Sequence, residues 1–248
     1  MTDELTDDRL TRDFSIWQRK KGHRFSSDDV VTAWVAWTAR PDARRVCDLG
    51  CGIGSVLLMM AWRMPEASFT GVEAQDASFA LLEKNVARNH VGGRVRVLHG
   101  DLRDEAVIAA IGGDFELVTG TPPYFPPGTA LDAGDEQRAH ARIEYRGGVE
   151  AYLATGARIM SQNGTMVLCG EGSVEPRVRA GGTPVGLFVR ARCEVFAHAA
   201  AEKPLFTVWT MSRTDGAIAP ASLLLRGDDG KPTEDATTLR AFSGFTPP

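Results

Sequence analysis

Val46-Cys47-Asp48-Leu49-Gly50-Cys51-Gly52-Ile53-Gly54-Ser55 decides how the chain folds. A short apolar run gives way to three glycines at alternate positions, and a helical pattern over Ser55–Met64 follows at once. That order reads as a buried strand, a tight turn and a helix. Glycine tolerates positive φ and lets a ligand approach the backbone with no Cβ in the way. The dinucleotide fingerprint G-x-G-x-x-G would place its third glycine at position 55, where this chain has Ser55, so a nicotinamide dinucleotide site is disfavoured.

Working outward, short apolar runs alternate with longer amphipathic ones. Strands are expected at Arg45–Leu49, Ser68–Glu73, Arg94–His99, Leu117–Gly120 and Thr165–Cys169. Helices are expected at Ser55–Met64, Ala77–Asn89, Glu105–Ile111 and Gly148–Met160. Cys193–Ala197 and Leu205–Met211, joined by a short polar loop with Pro204, read as an antiparallel pair ending the sheet. The pattern predicts an α/β fold, a mostly parallel sheet with helices on both faces. Residues 1–15 are acidic and poor in apolar side chains and are expected to be loose. Residues 16–248 are expected to form a single domain, with a helical lid over 16–40 and an irregular insert over 171–192.

With 248 residues, 43% hydrophobic and 24% charged, the chain can bury roughly 70–75% of its unfolded surface, which excludes disorder as the main state. No stretch approaches the roughly 18 apolar residues of a spanning helix, and Met1-Thr2-Asp3-Glu4 does not open a signal peptide, so a cytoplasmic protein with no membrane contact is expected. Cys47, Cys51, Cys169 and Cys193 lack paired spacing and read as reduced structural thiols. The five histidines form no ligand pair, so no metal is expected. A net charge of −4 leaves room for a local basic face, with Arg19, Lys20, Lys21 and Arg24 at the front and Arg177, Arg179, Arg190 and Arg192 in the insert as candidates to meet phosphates.

Ligands of parallel sheets gather at the carboxyl ends of the strands. Three successive strands here end in an acid: Asp48 beside the glycines, Glu73 roughly 20 residues on, and Asp101 after His99-Gly100. The second can accept two ribose hydroxyls, and the third can accept an adenine amine. After the fourth strand comes Thr121-Pro122-Pro123-Tyr124-Phe125-Pro126-Pro127-Gly128, a rigid turn.

The glycine segment resembles the first motif of class I S-adenosylmethionine-dependent methyltransferases, and the Pro-rich turn resembles their N-P-P-Y motif. The resemblance narrows with Gly22-His23-Arg24-Phe25-Ser26-Ser27-Asp28, Ala141-Arg142-Ile143-Glu144 and Leu225–Thr233, landmarks similar to those of the bacterial tRNA adenine-amine methyltransferases acting beside the valine tRNA anticodon. It implies a Rossmann-like sheet of seven strands with an antiparallel final strand, S-adenosylmethionine as cofactor and RNA as partner. It also implies a cofactor set of Phe25, Asp28, Asp48, Gly50, Gly52, Gly54, Glu73 and Asp101. Thr121, Pro122, Pro123 and Tyr124 would be catalytic, with Tyr124, Phe125, Arg24 and Arg142 against substrate. Thr121 stands where the family has Asn, and its hydroxyl can still accept a hydrogen bond. Methylation of a protein amide or small-molecule amine, and an inactive cofactor-binding scaffold, stay open as alternatives.

Overall fold

The computed structural model describes residues 4–123, 144 and 147–245. The chain runs β1 (Leu5–Arg9), β2 (Ser15–Arg19), α1 (Ser27–Ala39), β3 (Arg45–Leu49), α2 (Ser55–Arg63), β4 (Ser68–Glu73), α3 (Asp76–Arg88), β5 (Val95–His99), α4 (Glu105–Ile111) and β6 (Phe115–Gly120). After the Pro-rich turn come α5 (Val149–Ile159), β7 (Met160–Gly170), α6 (Glu175–Gly182), β8 (Phe188–Phe196), β9 (Phe206–Ser212), β10 (Ala219–Leu224) and α7 (Glu234–Phe242).

The main sheet has the order β10-β8-β9-β7-β6-β3-β4-β5. Within it only β9 runs antiparallel, against β7 and β8. The seven strands from β5 to β8 therefore match the expected architecture, and β10 adds an eighth, parallel to β8, at the edge. Its sequence, Ala219-Pro220-Ala221-Ser222, is exposed and carries no alternating pattern, which hid it; a proline is tolerated on such an edge.

Side chains of the central strands alternate between two buried layers. Val46, Leu117, Val167 and Cys169 pack with α1, α2 and α3 on one face, while Cys47, Leu49, Val118 and Leu168 pack with α4, α5 and α6 on the other. Burial on both faces accounts for the nearly continuous apolar runs. The register pairs Leu49 with Val72 and Gly120, and Glu73 with His99, so the carboxyl ends of β3, β4, β5 and β6 lie level along one edge. Asp48 shares the face of Val46 and lies at that edge, 2% exposed.

Two segments are more ordered than composition suggested. Residues 5–19, expected to be loose up to residue 15, form an antiparallel hairpin in which Leu5 pairs with Arg19 and Arg9 with Ser15. Leu10 and Ile16 are buried in the core, and the acids are paired: Asp7 with Arg88 at 2.9 Å, Asp8 with Arg24 at 3.0 Å and Glu4 with Lys20 at 3.1 Å. Asn85 on α3 and Asn89, its C-cap, each accept a backbone N–H from β2 and donate to the carbonyl of the same residue, Trp17 and Ser15 respectively, at 2.6–3.0 Å. The lid region 16–40 thus contains β2 as well as a helix. Residues 171–192 are also regular, forming α6 and the start of β8, because Val174, Val178, Leu187 and Val189 are all buried.

Candidate active site

Gly50, Gly52 and Gly54 all have positive φ, +61°, +58° and +91°. A Cβ on Gly50 would lie 2.1 Å from the Tyr152 hydroxyl, whereas the space beside Gly52 is open. Gly54 caps α2 in a left-handed conformation and packs against Leu82; it stands behind the turn rather than in the cleft wall. Beside this turn opens a cleft of about 460 Å³. It brings together Phe25, Asp28, Asp48, Gly50, Gly52, Glu73 and Asp101 with Thr121, Pro122 and Pro123, residues spread over a hundred positions of sequence. Arg24 lines its mouth, along with Lys20, Lys21 and His23.

The strand-tip acids are held differently. Asp48 Oδ1 accepts the Thr119 hydroxyl at 2.7 Å, while its buried Oδ2 makes no hydrogen bond. Burial, with the Glu73 carboxylate adding to it, pushes the Asp48 carboxyl up to about 7 against the pull of Thr119. Glu73 Oε2 accepts the Gly52 N–H at 2.8 Å and Oε1 the Gln75 N–H at 2.6 Å, so the glycine turn and the acid fix each other. Asp101 is clamped by Arg103, with Nε to Oδ1 at 3.0 Å and Nη2 to Oδ2 at 2.7 Å. Asp28 accepts the Ser26 hydroxyl, and Phe25 docks its N–H on Gln18 Oε1 at 3.1 Å.

The turn after β6 starts in the cleft wall with Thr121, Pro122 and Pro123. Tyr124, Phe125 and Arg142 lie outside the described residues. Glu144 is described, and its carboxylate takes Arg177 at 2.6 Å; Arg177 also grips Glu150 at 2.7 Å. Arg179 and Arg192 are both paired with Glu175, so three of the four insert arginines expected to meet phosphates are spent on carboxylates of α5, α6 and the preceding loop. They carry little net positive charge to a partner. The four cysteines are buried free thiols. Among the described residues no cluster of three metal-ligating side chains occurs, and no helix is long and apolar enough to cross a membrane.

Four residues of the site were not singled out from sequence. Asp29 closes a capping box on Ser26, accepting its N–H at 2.8 Å, and accepts the Ser55 hydroxyl at 2.7 Å, which ties the start of α1 to the start of α2. Desolvation and the neighbouring Asp28 raise its carboxyl well above the usual range. The Ser26-x-x-Asp29 spacing carries a signal for this. Thr119 and Tyr152 have no local signature and act through residues that their own strand or helix brings alongside, while Arg103 folds back from the turn after β5 onto Asp101 two residues before it.

Comparison with known proteins agrees with this geometry. Residues 27–137 match the methyltransferase small domain family. A tRNA1(Val) (adenine(37)-N6)-methyltransferase from Yersinia pestis is 32% identical over 88% of this chain and 86% of its own length. The chain belongs to this methyltransferase family. A second member, from Bacteroides thetaiotaomicron and of the same name, is 27% identical over 74% of this chain and 75% of its own. Among solved structures, a predicted O-methyltransferase from Agrobacterium tumefaciens superposes with a TM-score of 0.67 at 18% identity, covering 87% of this chain and 96% of that one. At that identity the likeness speaks for the shared class I methyltransferase fold. The protein is therefore a methyltransferase, with its cleft at the strand ends where that fold binds ligands.

Proposed function

We propose that this cytoplasmic methyltransferase transfers a methyl group from S-adenosylmethionine to the N6 amine of an adenine in tRNA. The observation that carries the reading is that one cleft joins the glycine turn, three strand-tip carboxylates and the Thr121-Pro122-Pro123 turn. The cleft suits a cationic cofactor. Asp48 Oδ2 is buried with no hydrogen bond, a costly state that a bound ammonium relieves, and the backbone beside Gly52 is open to a ligand. Relatives that share most of this chain's length bear the name of a tRNA adenine-N6 methyltransferase, which supports the acceptor.

In this reading Asp48 faces the methionine ammonium, Glu73 accepts the ribose hydroxyls and Asp101 accepts the adenine amine. Phe25 and Asp28 close the pocket over Gly50 and Gly52, and Gly54 shapes the turn from behind. S-adenosylmethionine, when bound, supplies a methyl group on a positively charged sulfur. An aryl amine has its lone pair delocalised into the ring and attacks only as it becomes more tetrahedral. Acceptors that hold its N–H bonds favour that change, and in this reading Thr121 Oγ1 and the Pro122 carbonyl take that role. Tyr124 is assigned to stack on the target base and Phe125, Arg24 and Arg142 to contact the substrate, and Lys21 at the cleft meets phosphate.

The test is to incubate the protein and radiolabelled S-adenosylmethionine with RNA, protein and metabolite fractions from cells lacking its gene. Label recovered from tRNA as N6-methyladenosine is the expected result. Label confined to protein or metabolites would overturn the RNA assignment and make Thr121 the mark of a different acceptor.

A further inference from the structure

Tyr152 projects from α5 into the angle between the glycine turn and the end of β6. A Cβ on Gly50 would lie 2.1 Å from its hydroxyl oxygen, and one on Gly120 would lie 2.7 Å from its ring carbon Cδ1. The ring thus fills a notch that both glycines leave open, one beside the cofactor turn and one just before Thr121. The residue is 6% exposed and lines the cleft, and its hydroxyl makes no hydrogen bond among the described residues. Glu73 and Asp48 are the carboxylates whose charge it feels most, and with burial they hold the phenol protonated.

The hydroxyl stands over Gly50 in the cofactor turn and the ring against Gly120, one residue before Thr121, so the side chain spans from the methionine end of the cofactor toward the acceptor turn, the line along which the methyl must pass. We propose that the Tyr152 hydroxyl oxygen faces the sulfonium centre of S-adenosylmethionine and holds the donor methyl toward the Thr121-Pro122-Pro123 turn. The inference rests on the proposed function. Held protonated, the phenol oxygen still carries lone pairs that it can present to the ligand. Those lone pairs attract a cationic sulfonium and the polarised C–H bonds around it, and attract the neutral thioether of the product far less. Tyr152 would therefore bind the reactant form of the cofactor in preference to the product form, a specificity-determining role distinct from filling space.

The experiment compares the full-length protein with Tyr152→Phe by calorimetric titration of S-adenosylmethionine and, separately, S-adenosylhomocysteine. Phenylalanine keeps the ring in the notch, so only the oxygen is lost. The Kd for S-adenosylmethionine should rise about three- to tenfold while that for S-adenosylhomocysteine changes less than about twofold. The ratio of the two affinities is read on one folded sample, so a partly unfolded preparation lowers the number of sites without moving the ratio. An unchanged ratio, whether both affinities fall together or neither moves, overturns the role assigned to the hydroxyl while the proposed function stands. A wild-type protein that binds neither ligand overturns the proposed function and this inference with it.

Discussion

Replacing Gly50 by Ala tests the geometry of the glycine turn directly, with Gly52→Ala as its internal control. Both glycines have nearly the same left-handed backbone, φ +61° and +58°, so both substitutions incur about 1–2 kcal/mol for placing a Cβ there. They differ in what the new methyl meets. At Gly52 it meets open space, whereas at Gly50 it lies 2.1 Å from the Tyr152 hydroxyl and 2.9 Å from Cζ. The Tyr152 ring is buried in the notch beside Gly120, which leaves it little room to swing aside, and overpacking of this kind costs about 1–3 kcal/mol more. Gly50→Ala should lose roughly 2–5 kcal/mol of stability and Gly52→Ala roughly 1–2 kcal/mol. Urea unfolding followed by tryptophan fluorescence measures both. Combining Gly50→Ala with Tyr152→Ala removes the overlap, so the double variant should be less destabilised than the sum of the singles by about 1–3 kcal/mol. Equal losses at Gly50 and Gly52, or strict additivity in the cycle, would refute the claim that the tyrosine occupies the space above Gly50.

The Asp48 carboxyl, pushed up to about 7, must ionise to face a cation, so affinity for S-adenosylmethionine should strengthen as pH rises toward 7 and level off above it. One proton limits the slope to about tenfold per pH unit, and Asp48→Asn should flatten it; a flat wild-type profile in calorimetry between pH 5.5 and 8 would count against Asp48. The same shift makes the protein less stable as pH rises from the ordinary Asp range toward 7, because the folded state retains a proton that the unfolded chain has released. Glu73→Gln should weaken S-adenosylmethionine binding by roughly 10- to 150-fold, the equivalent of about 1.5–3 kcal/mol for a charge-assisted pair, and retention of full affinity would remove Glu73 from the ribose site. Asn85→Ala strips hydrogen bonds from Trp17 and from the Ile53 carbonyl at a fully buried position and should cost roughly 2–5 kcal/mol in urea unfolding; a loss below 1 kcal/mol would mean that the hairpin is not held through α3.

The parts of this protein legible in sequence are those where burial imposes a period. β3 and β4 run over the residues expected, as does α4, because each is a short run with apolar side chains in the required places and a turn or cap at its ends. The cleft was legible for a related reason: parallel strands deliver their last residues to one edge, so an acid at each strand end is an acid at the ligand edge. What escaped was set by pairing between distant residues. The charges of β1 suggested a loose tail because nothing local says that Asp7 will find Arg88 on α3 or Asp8 find Arg24. Arg177 of α6 suggested a basic face because Glu144 and Glu150, its partners, precede it by many residues. Tyr152 reads as one more apolar position of an amphipathic helix until its hydroxyl is seen against Gly50.

The asparagine pair on α3 has a consequence for the outer rim of the molecule. Four residues of helix advance about 6 Å, and two residues of strand advance about 6.8 Å. Asn85 and Asn89 therefore match the step from Trp17 to Ser15, and their side-chain amides offer β2 the donors and acceptors that a neighbouring strand would. A helix here stands in for a strand. The hairpin, with β1 on one side and this side-chain ladder on the other, presents no open edge along β2 on which a foreign β-segment could build. Losing either amide would do more than loosen the hairpin: it would bare a template for unwanted pairing between molecules.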